Sequence, residues 1–255
     1  MYVKPRQDHS WNSLEAGQKF PGFELMSPDG EPIRSDDLMS DADSRGFLMI
    51  TGSLTCPMTI GSLDDLRELH AEFGDVVPFV LLYVREGHPG ENYPQPKIYA
   101  DKVEHARMMR ESYDLPWPVA VDSIDGNLHR ALDTQPNSAH LIDREGNVVF
   151  RALFAGDVRS LREAVERLAK GKEIGKGQTG AFLGPVIPAI GHITAVIDTA
   201  GAAAWRDLWM AAPPMAVMAK VSNLFKTLPK KRRGLAVMAS LALAGAVTLG
   251  VLTLL

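Results

Sequence analysis

Cysteine is nearly absent: Cys56 is the only one in 255 residues. One thiol allows no intramolecular disulfide, which excludes a disulfide-stapled secreted domain. Any redox cycle must therefore use an external thiol or the cysteine of a second chain, as in a homodimer. The N-terminal stretch Met1 to His9 is polar and has no apolar signal core. The seven histidines show no ligand spacing of the H-E-x-x-H kind, so no metal site is expected. Gly171 to Gly177 is glycine-rich but lacks the spacing of a phosphate-binding loop, and no bound cofactor is expected. A net charge of −4 gives no nucleic-acid footprint.

A composition of 45% hydrophobic and 23% charged residues describes an ordinary globular core. The charge is uneven. From Gly180 onward seven basic side chains face two acidic ones, so this part carries +5 and the first 179 residues −9. Gly234 to Leu255 is an uncharged apolar run, preceded directly by Lys230, Lys231, Arg232 and Arg233. Its length matches the roughly 30 Å hydrocarbon core. The basic flank predicts a single-pass C-terminal anchor with the rest of the chain on the cytoplasmic side. Between 180 and 229, prolines interrupt the apolar stretches, and Trp205, Trp209 and Phe225 accompany Lys220 and Lys226. That mixture predicts membrane-interfacial segments or a re-entrant pair, with weak helices packed on the soluble domain as the alternative.

Phe47 to Ser53 and Val76 to Val84 are apolar at consecutive positions, as in strands of a parallel sheet covered on both faces. A helix is predicted between them, from Cys56 to Phe73, with Leu63, Leu66, Leu69 and Phe73 on its apolar face. Further helices are expected over 102–113, 128–132 and 157–169. A short strand is expected over 118–122, and a hairpin over 139–154 turns at Glu145-Gly146-Asn147. The order β-β-α-β-α-β-α-β-β-α describes an α/β sandwich. The domain plan is a flexible N-terminus (1–16), an α/β domain (17–172), a linker with interfacial segments (173–229), and the basic flank with its anchor (230–255).

Cys56 sits between a strand end and a helix start. Unsatisfied N–H groups and the positive end of the helix dipole face a thiol placed there. They favour the thiolate, which is the nucleophile. The plainer reading is an inert buried cysteine.

Three stretches carry a family resemblance. They are Gly52-Ser53-Leu54-Thr55-Cys56-Pro57; Tyr83-Val84-Arg85-Glu86-Gly87-His88-Pro89; and Val121-Asp122-Ser123 followed by Pro136-Asn137-Ser138-Ala139-His140-Leu141-Ile142. In this order and spacing they resemble the thioredoxin-like iodothyronine deiodinases and their bacterial relatives. In that family the first box reads G-S-x-T-(selenocysteine or Cys)-P and the second ends in E-x-H-P. The resemblance covers about Gly17 to Lys172. It implies a thioredoxin-like sandwich, Cys56 as nucleophile at the selenocysteine position, and His88 as the histidine of the active-site loop. Pro136 falls at the position of the fold's cis-proline. Ser53, Thr55 and Pro57 would line the site, with Ser53 and Thr55 donating to the sulfur or capping the following helix. Glu86 either orients His88 or is a solvated loop carboxylate. Leu54 stands where some relatives have a second cysteine, and the apolar span here is C-terminal where animal deiodinases are anchored near the N-terminus.

The reading that follows is a membrane-anchored, thiol-dependent oxidoreductase. The Cys56 thiolate would attack the halogen of a halogenated aromatic, His88 would supply the proton, and an external thiol would restore the cysteine. One alternative is a one-cysteine, peroxiredoxin-like peroxidase acting on a peroxide. Phe20-Pro21-Gly22-Phe23 and Ser53-x-x-Cys56 resemble pieces of that family, but Met49 replaces its proline and no arginine precedes Ala139. The other is a non-catalytic thioredoxin-like binding module.

Overall fold

A computed structural model describes residues 14–40, 43–132, 135, 137–175 and 177–254, with side chains of the last helix described only to residue 243 and at 246. Of the N-terminal stretch expected to be flexible, residues 14–16 are described. The Leu14 N–H donates to the Leu132 carbonyl at 2.7 Å, which ties this stretch to the domain.

The elements in order are β1 (Glu24–Met26), β2 (Pro32–Arg34), α1 (Ser35–Ser40), β3 (Gly46–Gly52), α2 (Pro57–Phe73), β4 (Phe79–Tyr83), α3 (Tyr99–Ser112), β5 (Val119–Val121), α4 (Asn127–Leu132), β6 (Ala139–Asp143), β7 (Val148–Ala152), α5 (Val158–Ala169), β8 (Gln178–Thr179), α6 (Leu183–Ala200), α7 (Ala202–Ala211), α8 (Pro213–Ser222) and α9 (Lys230–Leu254). They build a mixed sheet in the order β2-β1-β5-β4-β3-β6-β7-β8. Strands β3, β4 and β5 are parallel, whereas β6 runs antiparallel to β3 and to β7. The order β4-β3-β6-β7, with α2 crossing between the parallel pair, is the thioredoxin arrangement, as the chain pattern predicts.

Every residue of β3 and β4 is buried. The two-residue period of the strand then splits each between two cores. Leu48, Ile50 and Leu81 join the cluster beneath α2, α3 and α5, including Leu63, Leu66, Ala106, Met109 and Leu161. Phe47, Met49, Val80 and Leu82 face the other way, onto Phe20, Leu128 and Leu132. Met49, at the position where peroxiredoxins have proline, is thus a core side chain.

The Val121-Asp122-Ser123 box is structural. Asp122 is fully buried, and its carboxylate accepts from the N–H groups of Ser123 (2.8 Å), Leu128 (3.1 Å) and His129 (3.1 Å), ordering the start of α4.

Helices α6 to α8 share a core of their own, formed by Ile190, Ile193, Ile197, Ala204, Leu208, Ala216 and Ala219 together with Val237 of α9. Helix α6 lies along α2, close enough that a Cβ on Gly61 would stand 3.2 Å from the Ala189 Cα. Residues 183–222 form helices, of which α6 packs on α2. Pro213 and Pro214 open α8, where a missing N–H costs nothing, rather than merely breaking a helix. Among the described residues one helix, α6, is long and apolar enough to cross a membrane by length and composition, and half of it is buried in the protein. The apolar run read as the anchor forms α9, and its basic flank is that helix's first turn.

Replacing Asp122 with Ala would strand the buried N–H groups of Leu128 and His129 and the part-buried one of Ser123. Urea denaturation is expected to show a loss of at least about 1–3 kcal/mol, with the alkylation chemistry of Cys56 unchanged.

Candidate active site

Cys56 is the residue that precedes α2, with extended backbone (φ −101°, ψ 109°) and Pro57 in the first helical position. The chain turns here because proline disfavours helical geometry in the residue before it and is tolerated in a helix's first turn. The N–H groups of Met58 and Thr59 and the Thr59 hydroxyl act on the sulfur to favour its ionised form. This is the helix-terminus setting that the sequence predicts.

The ionised thiol expected from it is not what the structure shows. Cys56 is only 3% exposed. Burial pushes its thiol pKa up, with a smaller contribution in the same direction from Glu86, against the downward pull of Thr59 and Met58. Desolvation outweighs the helix terminus.

Above the cysteine lies the loop that follows β4. Gly87 approaches so closely that a Cβ there would stand 3.2 Å from the Cys56 Cβ. Any side chain at that position would crowd the sulfur-bearing residue. His88 follows, half-buried, and burial pushes its imidazole below the ordinary range, with Asp207 of α7 pulling the other way.

The loop is tied to the turn before α2 by side chains from both. The Ser53 hydroxyl accepts from the Gly87 N–H at 3.2 Å, and the Thr55 hydroxyl accepts from the His88 N–H at 3.2 Å. Neither residue takes the role of helix cap or sulfur donor expected from the sequence; both fasten the loop.

Glu86 is neither solvated nor an orienter of the His88 ring. It is 2% exposed, and its carboxylate accepts from the Thr55 hydroxyl (2.6 Å), the Thr55 N–H (3.2 Å) and the Tyr83 hydroxyl, and contacts His105 Nδ1 at 3.1 Å. Gln95 fixes the backbone of the same residue: its side-chain oxygen accepts from the Glu86 N–H (2.9 Å) and its amide donates to the Glu86 carbonyl (3.3 Å). Burial raises the Tyr83 phenol well above its ordinary value, and Glu86 adds to the shift.

Sequence reasoning named Cys56, His88, Ser53, Thr55, Pro57 and Glu86, and the fold brings all six together at the β3–α2 turn and the loop over it. Pro136 lies outside the described residues. Its neighbour Asn137 is fully buried, and its amide reaches the Thr51 carbonyl (3.5 Å) and the Thr59 hydroxyl (3.4 Å). Thr59, Tyr83, Gln95 and His105 were missed. Thr59 was legible, because a Thr three residues after a pre-helical cysteine stands at the exposed N–H groups of the first turn. His105 was not, since nothing in its local pattern places α3 beside Glu86.

The sheet order and a lone cysteine at the β3–α2 turn define a single-cysteine protein of thioredoxin-like fold. The chain is similar in sequence to iodothyronine deiodinases, as the three boxes suggest. It is 28% identical over 169 residues to the type II iodothyronine deiodinase of Aquarana catesbeiana, covering 60% of this chain and 64% of that one. It is 27% identical over 144 residues to the thyroxine 5-deiodinase of Gallus gallus, covering 53% and 55% respectively. The chain thus spans less than two thirds of the length of these curated relatives. No known family model matches it. Among solved structures, an uncharacterized conserved protein from Geobacillus kaustophilus shares the fold, with a TM-score of 0.54 at 21% identity over 66% of this chain and 89% of that one. A hypothetical protein from Sinorhizobium meliloti 1021 does so with a TM-score of 0.52 at 19% identity over 66% and 92%.

Two measurements test the electrostatics. The pH profile of Cys56 alkylation is expected to have its midpoint above the ordinary value of about 8.5, and Thr59→Val is expected to raise it further by removing a donor to the sulfur. Stability carries the same sign. Because the folded pKa is raised, the unfolded chain loses its thiol proton first, and stability falls as pH rises past about 8.5. Melting temperature recorded from pH 7 to 10 is expected to decline more steeply in the wild type than in Cys56→Ser.

Proposed function

We propose that this chain is a thiol-dependent reductive dehalogenase of the deiodinase kind, anchored to a membrane by α9. The observation that carries the reading is the position of Cys56 at the start of α2 beneath a loop that bears His88, with the deiodinase-like boxes supplying both segments.

In the step proposed, the Cys56 thiolate attacks the halogen of a halogenated aromatic. An S–I bond forms and the C–I bond breaks. The electron pair left on the ring carbon takes a proton from the His88 imidazolium. A first external thiol attacks the sulfenyl iodide, releasing iodide and forming a mixed disulfide. A second thiol frees Cys56. The net change is replacement of iodine by hydrogen on the ring, with two thiols oxidised to one disulfide.

This chain's residues supply position and proton management. The N–H groups of Met58 and Thr59 and the Thr59 hydroxyl stabilise negative charge on the sulfur. Glu86, through Thr55, holds the loop on which His88 stands. The expected partners are a small halogenated aromatic, an external thiol and the bilayer, with the thioredoxin-like domain on the cytoplasmic side of the Lys230–Arg233 flank.

The test is iodide release from an iodinated phenol in the presence of dithiothreitol. Cys56→Ala is expected to abolish it, and His88→Asn to lower it by about 10²–10⁴. Equal iodide release by wild type and Cys56→Ala would overturn the reading.

A further inference from the structure

As it stands, the site is shut. Cys56 is 3% exposed, its thiol is pushed toward the neutral form and His88 toward the unprotonated one, so both groups are held away from the states that the reaction uses. The inner side of the covering loop is explained by Ser53, Thr55 and Glu86. Its outer side is held by a different part of the chain, the junction of α6 and α7.

Three neighbouring loop residues make that junction. The Glu91 carboxylate accepts from the first N–H groups of α7, those of Ala202 (2.6 Å) and Ala203 (2.8 Å). These bonds and the positive helix end lower its pKa. Asn92 clasps the last turn of α6: its backbone N–H donates to the Ala200 carbonyl (3.1 Å) and its side-chain amide to the Thr199 carbonyl (3.1 Å). Gly90 presses on the same point, where a Cβ would strike the Ala200 carbonyl. Gly201, between the helices, has φ +116°, and a side chain there would collide with the Glu91 carboxylate. Without a side chain, glycine reaches this backbone conformation easily and leaves room for the carboxylate.

We propose that α6 and α7 form a clamp holding the 86–92 loop closed over Cys56, with Glu91 on the start of α7 as its latch, and that substrate reaches the sulfur only when the latch releases. The clamp does not end at the loop. Ala189 of α6 packs on Gly61 of α2, whereas Gly191 and Ile187, about 200° round the helix, pack on Lys230 and Gly234 of α9. The helix that holds the loop is therefore itself held by the first turns of the proposed anchor. The proposal rests on Cys56 being the reacting group and not on what it reacts with.

The single cysteine makes the test direct. The full chain, in detergent micelles, is labelled with N-ethylmaleimide at fixed pH and the added mass followed with time. Glu91→Ala is expected to raise the labelling rate about tenfold, and Asn92→Ala to raise it in the same direction, in protein that melts as the wild type does. Labelling at the wild-type rate in both folded variants would overturn the clamp. Where a variant does not fold, hydrogen exchange on the wild-type chain decides. The amides of Ala202, Ala203 and Asn92 are expected to exchange ahead of those in β3 and β4. Exchange of all of them together, only on global unfolding, would overturn it. Faster labelling of Glu91→Ala alongside equal iodide release by wild type and Cys56→Ala would leave the clamp standing and remove the dehalogenase.

Discussion

The site depends on one buried carboxylate. Glu86 sits where β4 gives way to the loop, and its two oxygens draw together Thr55 from the turn before α2, Tyr83 from the end of β4 and His105 from α3. A carboxyl group taken out of water is costly unless its lone pairs are matched by donors. Here Thr55 and Tyr83 donate to them and His105 Nδ1 lies 3.1 Å away, so three separate elements meet at the carboxylate. Satisfying Glu86 therefore requires the β3–α2 turn, the end of β4 and α3 to be in register with one another. Once they are, Thr55 and Ser53 take up the N–H groups of His88 and Gly87, and the loop has one place to lie. The positions of Cys56 and His88 follow from that constraint.

Electrostatics at the sulfur are a contest between two features of the same fold. The start of α2 offers donors that favour a thiolate, and the cover over it removes the water that would solvate one. In the closed arrangement the cover prevails, and the thiol pKa is raised. Burial likewise lowers the His88 imidazole. Both groups are thereby pushed toward their neutral forms. Water or substrate entering the site would relieve the desolvation while leaving the helix terminus in place.

The C-terminal helices are part of this arrangement. Helix α6 touches α2 on one side and α9 on another, and its last turn meets the active-site loop. The chain thus carries, just ahead of its basic flank and apolar run, a helical bundle that bears on the β3–α2 turn.

The amino-acid sequence by itself determined an α/β sandwich, and the boxes around Cys56 carried its resemblance to the thioredoxin-like deiodinases. Consecutive apolar residues in 47–53 and 76–84 suit strands covered on both faces, and the spacing of Leu63, Leu66 and Leu69 suits a helix that connects them and packs on one face of the sheet. It also pointed to Cys56 and His88 as candidate site residues, because a lone cysteine before a proline and a helix is a local feature, as are the boxes around it. Interactions between residues far apart in the chain left no local pattern. The fate of Glu86 depended on His105, nineteen positions away, and the latch joined Glu91 to the start of a helix more than a hundred residues on. The direction of the Cys56 shift was likewise undecidable from the turn alone, since a helix terminus acts over one turn of local chain whereas desolvation depends on everything packed around it. Only the tertiary structure decided how much water reaches the sulfur.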